Sequence, residues 1–150
     1  MTELVTGLDL VEWQLRVAAG EPLGAALTDS APRGHAIEAR VYAEEPARGF
    51  LPRPGEVETL AWPEGEHVRV DAGVRAPGKV TAHYDPMIAK VAVWADDRAG
   101  ALARLDRALG ETAVAPVVTN LGFLRKVLVS DEFREGRYDT TFAEAFVKRP

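Results

Sequence analysis

The chain has 150 residues, 47% of them hydrophobic and 27% charged, with a formal net charge of -5 and no cysteine. This length can enclose one core, and the acidic balance argues against nonspecific nucleic-acid binding, which needs a basic surface. Without cysteine there are no disulfides and no thiolate chemistry; no apolar run is long enough to cross a membrane and Met1 opens no signal peptide, so a cytoplasmic protein is expected.

Thr6 to Gly20 reads as a helix, with Thr6 as cap, Asp9 three residues on as in a capping box, and Gly20 as the stop. Leu8, Leu10, Val11, Trp13, Leu15, Val17 and Ala18 spread round much of it, which suits a helix packed against something larger. Glu21 to Arg33 is punctuated by Pro22, Gly24 and Pro32 and reads as a linker. From Ala36 to Glu44 the chain alternates strictly. Ile37, Ala39, Val41 and Ala43 point one way, and Glu38, Arg40, Tyr42 and Glu44 the other, which is the period of a strand with one buried face. Arg40 thus stands on a strand between Glu38 and Tyr42. Arginine stays charged and offers a rigid fork of donors, and a strand holds it more firmly than a loop would.

Pro46 to Gly55 is a proline- and glycine-rich loop. Val57 to Leu60 and Val68 to Val70 are short strands joined by the turn-prone Pro63-Glu64-Gly65. Asp71 to Lys79 is a further loop. Met87, Ala89, Val91, Val93 and Ala95 alternate with Ile88, Lys90, Ala92 and Trp94; both sets are largely apolar, so this strand should be central. Asp96 can cap a helix over Asp97 to Leu109, closed by Gly110. Glu111 to Val118 is extended, with Pro116 at an edge or bend. Thr119 or Asn120 caps a helix carrying Leu121, Leu124, Val127 and Leu128. Ser130 caps a short turn of helix, and Thr141 with Glu144 forms a capping box over a last helix. Trp13, Trp62 and Trp94 suit packing better than a cofactor box. His35, His67 and His83 lack the spacing of a local zinc motif, so no metal site is expected, and no recognised glycine-rich phosphate loop is present. Strands first and helices after give an α+β fold, a mostly antiparallel sheet with helices packed on it.

Three motifs stand in order: Gly34-His35-Ala36-Ile37-Glu38-Ala39-Arg40-Val41-Tyr42-Ala43-Glu44-Glu45-Pro46, then Phe50-Leu51-Pro52-Arg53-Pro54-Gly55, then Tyr84-Asp85-Pro86-Met87-Ile88-Ala89-Lys90-Val91. In order and approximate spacing they resemble the carboxy-terminal part of biotin carboxylase, the component that begins the work of acyl-CoA and pyruvate carboxylases. The resemblance runs from Thr2 to about Val147. It departs from the family at Arg53, where serine is common, and at Pro116, where glycine is usual; Arg48 and Gly49 look like a longer loop. The resemblance implies that residues 1–33 are the tail of an ATP-grasp region and a linker, and that residues 34–150 are the C-terminal domain.

Biotin carboxylase uses ATP and bicarbonate to carboxylate biotin held on a carrier protein. The resemblance places on Arg40 the family's arginine that faces the biotin ureido oxygen, where a fixed cation stabilises developing negative charge. Arg69 and Asp85 match residues near the dimer interface, though each also reads as a solvated charge. Thr140 and Thr141 match the stretch bordering the adenine end of the ATP site, though capping alone explains Thr141. Biotin, ATP and Mg2+ are the implied cofactors, with ATP and Mg2+ bound mainly by an ATP-grasp module. The implied partners are that ATP-grasp half, a biotin carboxyl carrier protein or domain, a carboxyltransferase subunit and a second copy in a homodimer. The phosphate-gripping lysines, glycine-rich lid, magnesium-binding glutamates and bicarbonate-gripping residues of that module do not occur here, nor does the Ala-Met-Lys-Met motif of a carrier. The chain alone is therefore expected to be inactive. The alternatives are a non-catalytic remnant or dimerisation module of a carboxylase complex and, less well matched, the tail of another ATP-grasp ligase.

Overall fold

The computed structural model describes residues 1–148, so the last two residues of the expected domain lie outside it. In chain order the elements are α1 (Thr2–Thr6), α2 (Leu10–Ala18), α3 (Ala25–Thr28), β1 (His35–Tyr42), β2 (Glu44–Glu45), β3 (Leu51–Pro52), β4 (Gly55–Ala61), β5 (Val68–Ala72), β6 (Gly78–Val80), β7 (Met87–Ala95), α4 (Arg98–Glu111), β8 (Ala113–Pro116), α5 (Leu121–Leu128), α6 (Asp131–Arg134) and α7 (Phe142–Val147); a 3-10 turn spans Pro46–Arg48. The fold is α+β, as the sequence implied. Its antiparallel strands form three small sheets, ordered β1-β7-β5, β2-β3 and β6-β4-β8.

β7 is central, as its two apolar faces required. It pairs β1 in the register Ile37↔Val93, Ala39↔Val91, Val41↔Ala89, and β5 in the register Val68↔Val93, Val70↔Val91, Ala72↔Ala89. Those residues share one face, because partners across an antiparallel ladder point the same way. Beneath that face lies α4, which presents Ala101, Leu105, Ala108 and Leu109. Leu105 and Leu109 are 1% and 2% exposed, and Val41, Val91 and Val93 are fully buried. Val57, Val80 and Val117 bring the third sheet into the same core.

The other face of the β1-β7-β5 sheet carries Glu38, Arg40, Lys90, Arg69 and Asp71, and α1 packs over it. Arg33 N–H donates to the Val5 carbonyl, tying α1 to the entry of β1. Gly34, at φ +68, opens the strand where a Cβ would stand 2.4 Å from the Ala95 carbonyl and 2.5 Å from the Trp94 ring. Only glycine lets the chain pass this close. Trp94 Nε1–H donates to the Arg33 carbonyl at the same place.

Several expected boundaries move. The first helix is two: Gly7 sits in the left-handed region and closes α1, and α2 begins at Leu10 with Asp9 accepting the Glu12 N–H. Thr6 does not cap α2; its hydroxyl donates to the Thr2 carbonyl. The linker contains α3. β4 and β5 do not pair across the Pro63-Glu64-Gly65 turn; they belong to different sheets. α4 is capped by Asp97, which accepts the Gly100 N–H, and it runs through Gly110 to Glu111. Ser130 precedes α6 but its hydroxyl donates to the Val127 carbonyl. Thr141 precedes α7, yet its hydroxyl and N–H both donate to Asp139 Oδ1, at 2.7 and 2.9 Å, so the expected capping box is not formed. α2 leaves Val11 62%, Leu15 69% and Val17 46% exposed, as its all-round apolar pattern foreshadowed.

Candidate functional site

The site begins with the register. Arg40 stands opposite Lys90, and Lys90 stands opposite Asp71; one pleat away, Glu38 stands opposite Ala92, and Ala92 opposite Arg69. Three strands thus deliver three cations and two carboxylates to one face. With Glu3 from α1 they line a shallow cleft of about 400 Å³. The rigid core beneath fixes their backbones, and α1 forms one wall.

Within the cleft the charges are unequally engaged. Arg69 is held at both ends: Nε meets Asp71 Oδ1 and Oδ2 at 3.0 and 3.1 Å, and Nη1 meets Glu3 Oε2 at 2.7 Å. Arg40 is held only lightly. Its Nε donates to Glu38 Oε1 at 3.2 Å, and 59% of its side chain remains exposed. Glu38, and after it Tyr42, raise the Arg40 pKa further above its ordinary value, so the guanidinium is a fixed positive charge. The Glu38 bond uses Nε, and the Tyr42 side chain acts on the same guanidinium. A guanidinium steadied through Nε and more than half exposed suits an incoming anionic or strongly polar oxygen.

The backbone that carries Arg40 is also fixed. β1 is the outer strand of its sheet, and its register shifts between Val41 and Tyr42, where β7 accommodates the extra residue Ile88. Such a bulge redirects the following side chain. Asn120, 4% exposed, closes the outer edge at this point. Its Oδ1 accepts the Tyr42 N–H at 3.0 Å, and its Nδ2 donates to the Arg40 carbonyl and to Glu44 Oε1, both at 3.1 Å. The sequence offers Thr119 or Asn120 as the cap of α5. Asn120 does precede α5, but its side chain caps nothing there.

The remaining expected residues fall elsewhere. Asp85 accepts the Met87 N–H at 2.8 Å and shapes the turn into β7; its charge also acts on Glu44. Thr140 and Thr141 do not line the Arg40 cleft. Among the described residues no group of three or more histidines or acidic residues could hold a metal ion. Lys90 and Glu3 were not singled out from the sequence. The pairing register that brings Lys90 beside Arg40, and the packing of α1 that brings Glu3, have no local signal in the chain.

A model of the biotin carboxylase C-terminal domain matches residues 38–145. The chain belongs to that family. Across 148 residues it is 43% identical to the biotin carboxylase of Halalkalibacterium halodurans, covering 99% of this chain and 32% of that protein. It is also 43% identical, over 143 residues, to the rat mitochondrial methylcrotonoyl-CoA carboxylase subunit alpha, covering 95% of this chain and 20% of the relative. Among solved structures, the biotin carboxylase domain dimer of Hydrogenobacter thermophilus 2-oxoglutarate carboxylase, in complex with MgADP, ADP and bicarbonate, matches with a TM-score of 0.91 and 36% identity, covering 96% of this chain and 32% of that one. The chain thus spans between a fifth and a third of these relatives. In this biotin carboxylase C-terminal domain, the matched region opens at Glu38 and takes in Arg40, Arg69, Asp85 and Asn120.

Burial raises the Glu44 pKa above 4.5, with Asp85 adding to the rise and the Asn120 hydrogen bond opposing it. A carboxyl whose folded pKa is raised binds more protons when folded, so its contribution to stability falls as pH rises through the folded value. Glu44→Gln keeps an acceptor for Asn120 Nδ2 and removes the charge. We expect the variant to have a higher urea midpoint than the parent at pH 7, with the advantage shrinking below the ordinary 4.5. An equal advantage at both pH values, or none, would show that the ionised form is not penalised.

Proposed function

We propose that the chain is the C-terminal domain of a biotin carboxylase and completes the site at which biotin on a carrier protein is carboxylated with ATP and bicarbonate. The observation that carries this reading is Arg40, held through Nε on a rigid strand, with 59% of its side chain exposed where it lines the cleft. Biotin, when bound, supplies the ureido nitrogen that takes up the carboxyl group. Arg40 would meet the ureido oxygen with N–H donors and oppose negative charge as it develops there, the moment at which a preorganised donor counts most. Glu38 and Tyr42 would keep the fork charged and aimed. Bicarbonate, nucleotide and magnesium would be gripped mainly by an ATP-grasp module, with Thr140 and Thr141 at the adenine end in this reading.

The half-reaction would feed an acyl-CoA or pyruvate carboxylase, through a carrier domain and a carboxyltransferase subunit. Arg69 and Asp85 would serve a homodimer; the dimeric 2-oxoglutarate carboxylase domain supports that part of the reading. The exposed apolar side of α2 would lie against the ATP-grasp module.

The test is biotin-dependent ATP hydrolysis, with bicarbonate and magnesium, by the chain alone and by the chain mixed with its amino-terminal ATP-grasp module. Activity in the mixture alone is expected. No turnover in a mixture that demonstrably associates would favour a non-catalytic interaction module. Turnover by the chain alone would overturn the division of labour.

A further inference from the structure

An outer strand has backbone groups facing away from its sheet. In β1 the Arg40 carbonyl and the Tyr42 N–H and carbonyl all face outward, toward α5, where no strand follows among the described residues. Buried backbone groups need partners. Asn120 supplies all three. Its side-chain amide reproduces the donor and acceptor of a peptide unit, taking the Tyr42 N–H and giving to the Arg40 carbonyl, while its own N–H donates to the Tyr42 carbonyl at 3.1 Å. The orientation of the amide follows from these partners, since an N–H can only donate and a carbonyl can only accept. A fourth contact, Nδ2 to Glu44 Oε1, secures the strand beyond the bulge. The Asn120 side chain therefore grips the two peptide units on either side of Val41, at the register shift that follows Arg40. The Glu38 carboxylate steadies the Arg40 side chain, but nothing in that bond fixes where the Arg40 Cα sits.

We infer that Asn120 is a positioning residue for Arg40, acting as a one-residue substitute for a missing neighbouring strand. It touches no reacting group; it sets the height and angle at which the guanidinium leaves the sheet. The inference rests on the reading of Arg40 given above. Small misplacements of a positioned group cost large factors in rate, so loss of this grip should be read through Arg40 and nowhere else.

The experiment is a double-mutant cycle in the full-length carboxylase polypeptide, measuring biotin carboxylation for the parent, Asn120→Ala, Arg40→Ala and the double variant. We expect Asn120→Ala to lower kcat by about tenfold, with KM for ATP within about twofold of the parent. In the Arg40→Ala background the same change should cost less than about twofold, because the group it positions is gone. Losses that multiply across the two sites would overturn the inference and leave the Arg40 reading standing. A parent-like rate for Arg40→Ala would overturn the Arg40 reading itself, and the inference with it. Should Asn120→Ala fail to fold, Asn120→Asp serves in its place. It keeps the size and the acceptor for the Tyr42 N–H, and it loses the donor that faces the Arg40 carbonyl and Glu44. The same non-additivity with Arg40→Ala is expected of it.

Discussion

Arg40→Lys in the full-length polypeptide is expected to lower the rate of biotin carboxylation by about a hundredfold or more, close to the effect of Arg40→Ala. Loss of one preorganised donor to a developing oxyanion costs on the order of 10² to 10³ in kcat. Lysine keeps the charge, so a site needing only a positive potential would tolerate it. This site asks for more. Nε is engaged by Glu38 at 3.2 Å, and that bond orients the plane of the whole guanidinium. An ammonium presents all its donors from one point: if it turns to Glu38 it is drawn from the place of the guanidinium tip, and if it takes that place it loses its anchor. Lysine is also more strongly hydrated and rotates freely about its last bond. The neighbouring Lys90, directly across the strand pair, would then face a mobile like charge instead of a planar, anchored one. Rates of biotin carboxylation at saturating ATP and bicarbonate, compared for parent, Lys and Ala variants, test this directly. A lysine variant with parental rate would mean that Arg40 contributes field alone, and the fork argument would be wrong.

What could be read from the sequence was whatever depends on period or on neighbours in the chain. Ile37, Ala39, Val41 and Ala43 announced a buried face by strict alternation, and β7 announced its central place by being apolar on both faces. Helix starts were harder, because adjacent residues compete for the same role. Asp97 wins over Asp96, and Asp9 over Thr6, once the backbone is extended at the true cap and Gly7 has already ended α1. Gly110 did not stop α4, which runs one residue further to Glu111 at a modest propensity cost. The cleft around Arg40 depended on partners about 50 and 30 residues away, and Asn120 on a partner 78 residues away; no local pattern encodes such a meeting. The residue type gave the wrong cue as well, because an asparagine just before a helix ordinarily reads as its cap.

Leu105→Ala should destabilise the chain by about 2–5 kcal/mol, the range for truncating a buried leucine that its surroundings cannot refill. Leu105 is 1% exposed in the middle of α4, and with Leu109 it faces the Ile37 and Ala39 side of β1. The strand side chains on that face are Ile37 with alanines and valines, on strands pinned by two ladders. They cannot reach into the gap, so the cavity should persist. A domain of this size loses roughly 2–4 °C of midpoint per kcal/mol, which puts the expected fall at about 4–20 °C. Leu15→Ala is the matched control: the same atoms are removed from α2 at a site 69% exposed, and the change should stay within about 0.5 kcal/mol. Thermal unfolding of the three chains, followed by circular dichroism, decides it. Equal shifts for the two leucines would mean that α2 is covered by self-association. A shift near zero for Leu105→Ala would mean that α4 is not what holds the β1-β7-β5 sheet. The consequence for function is indirect but definite. The core side of β1 and the Arg40 side are the two faces of one strand, so a strand loosened below also loses its aim above.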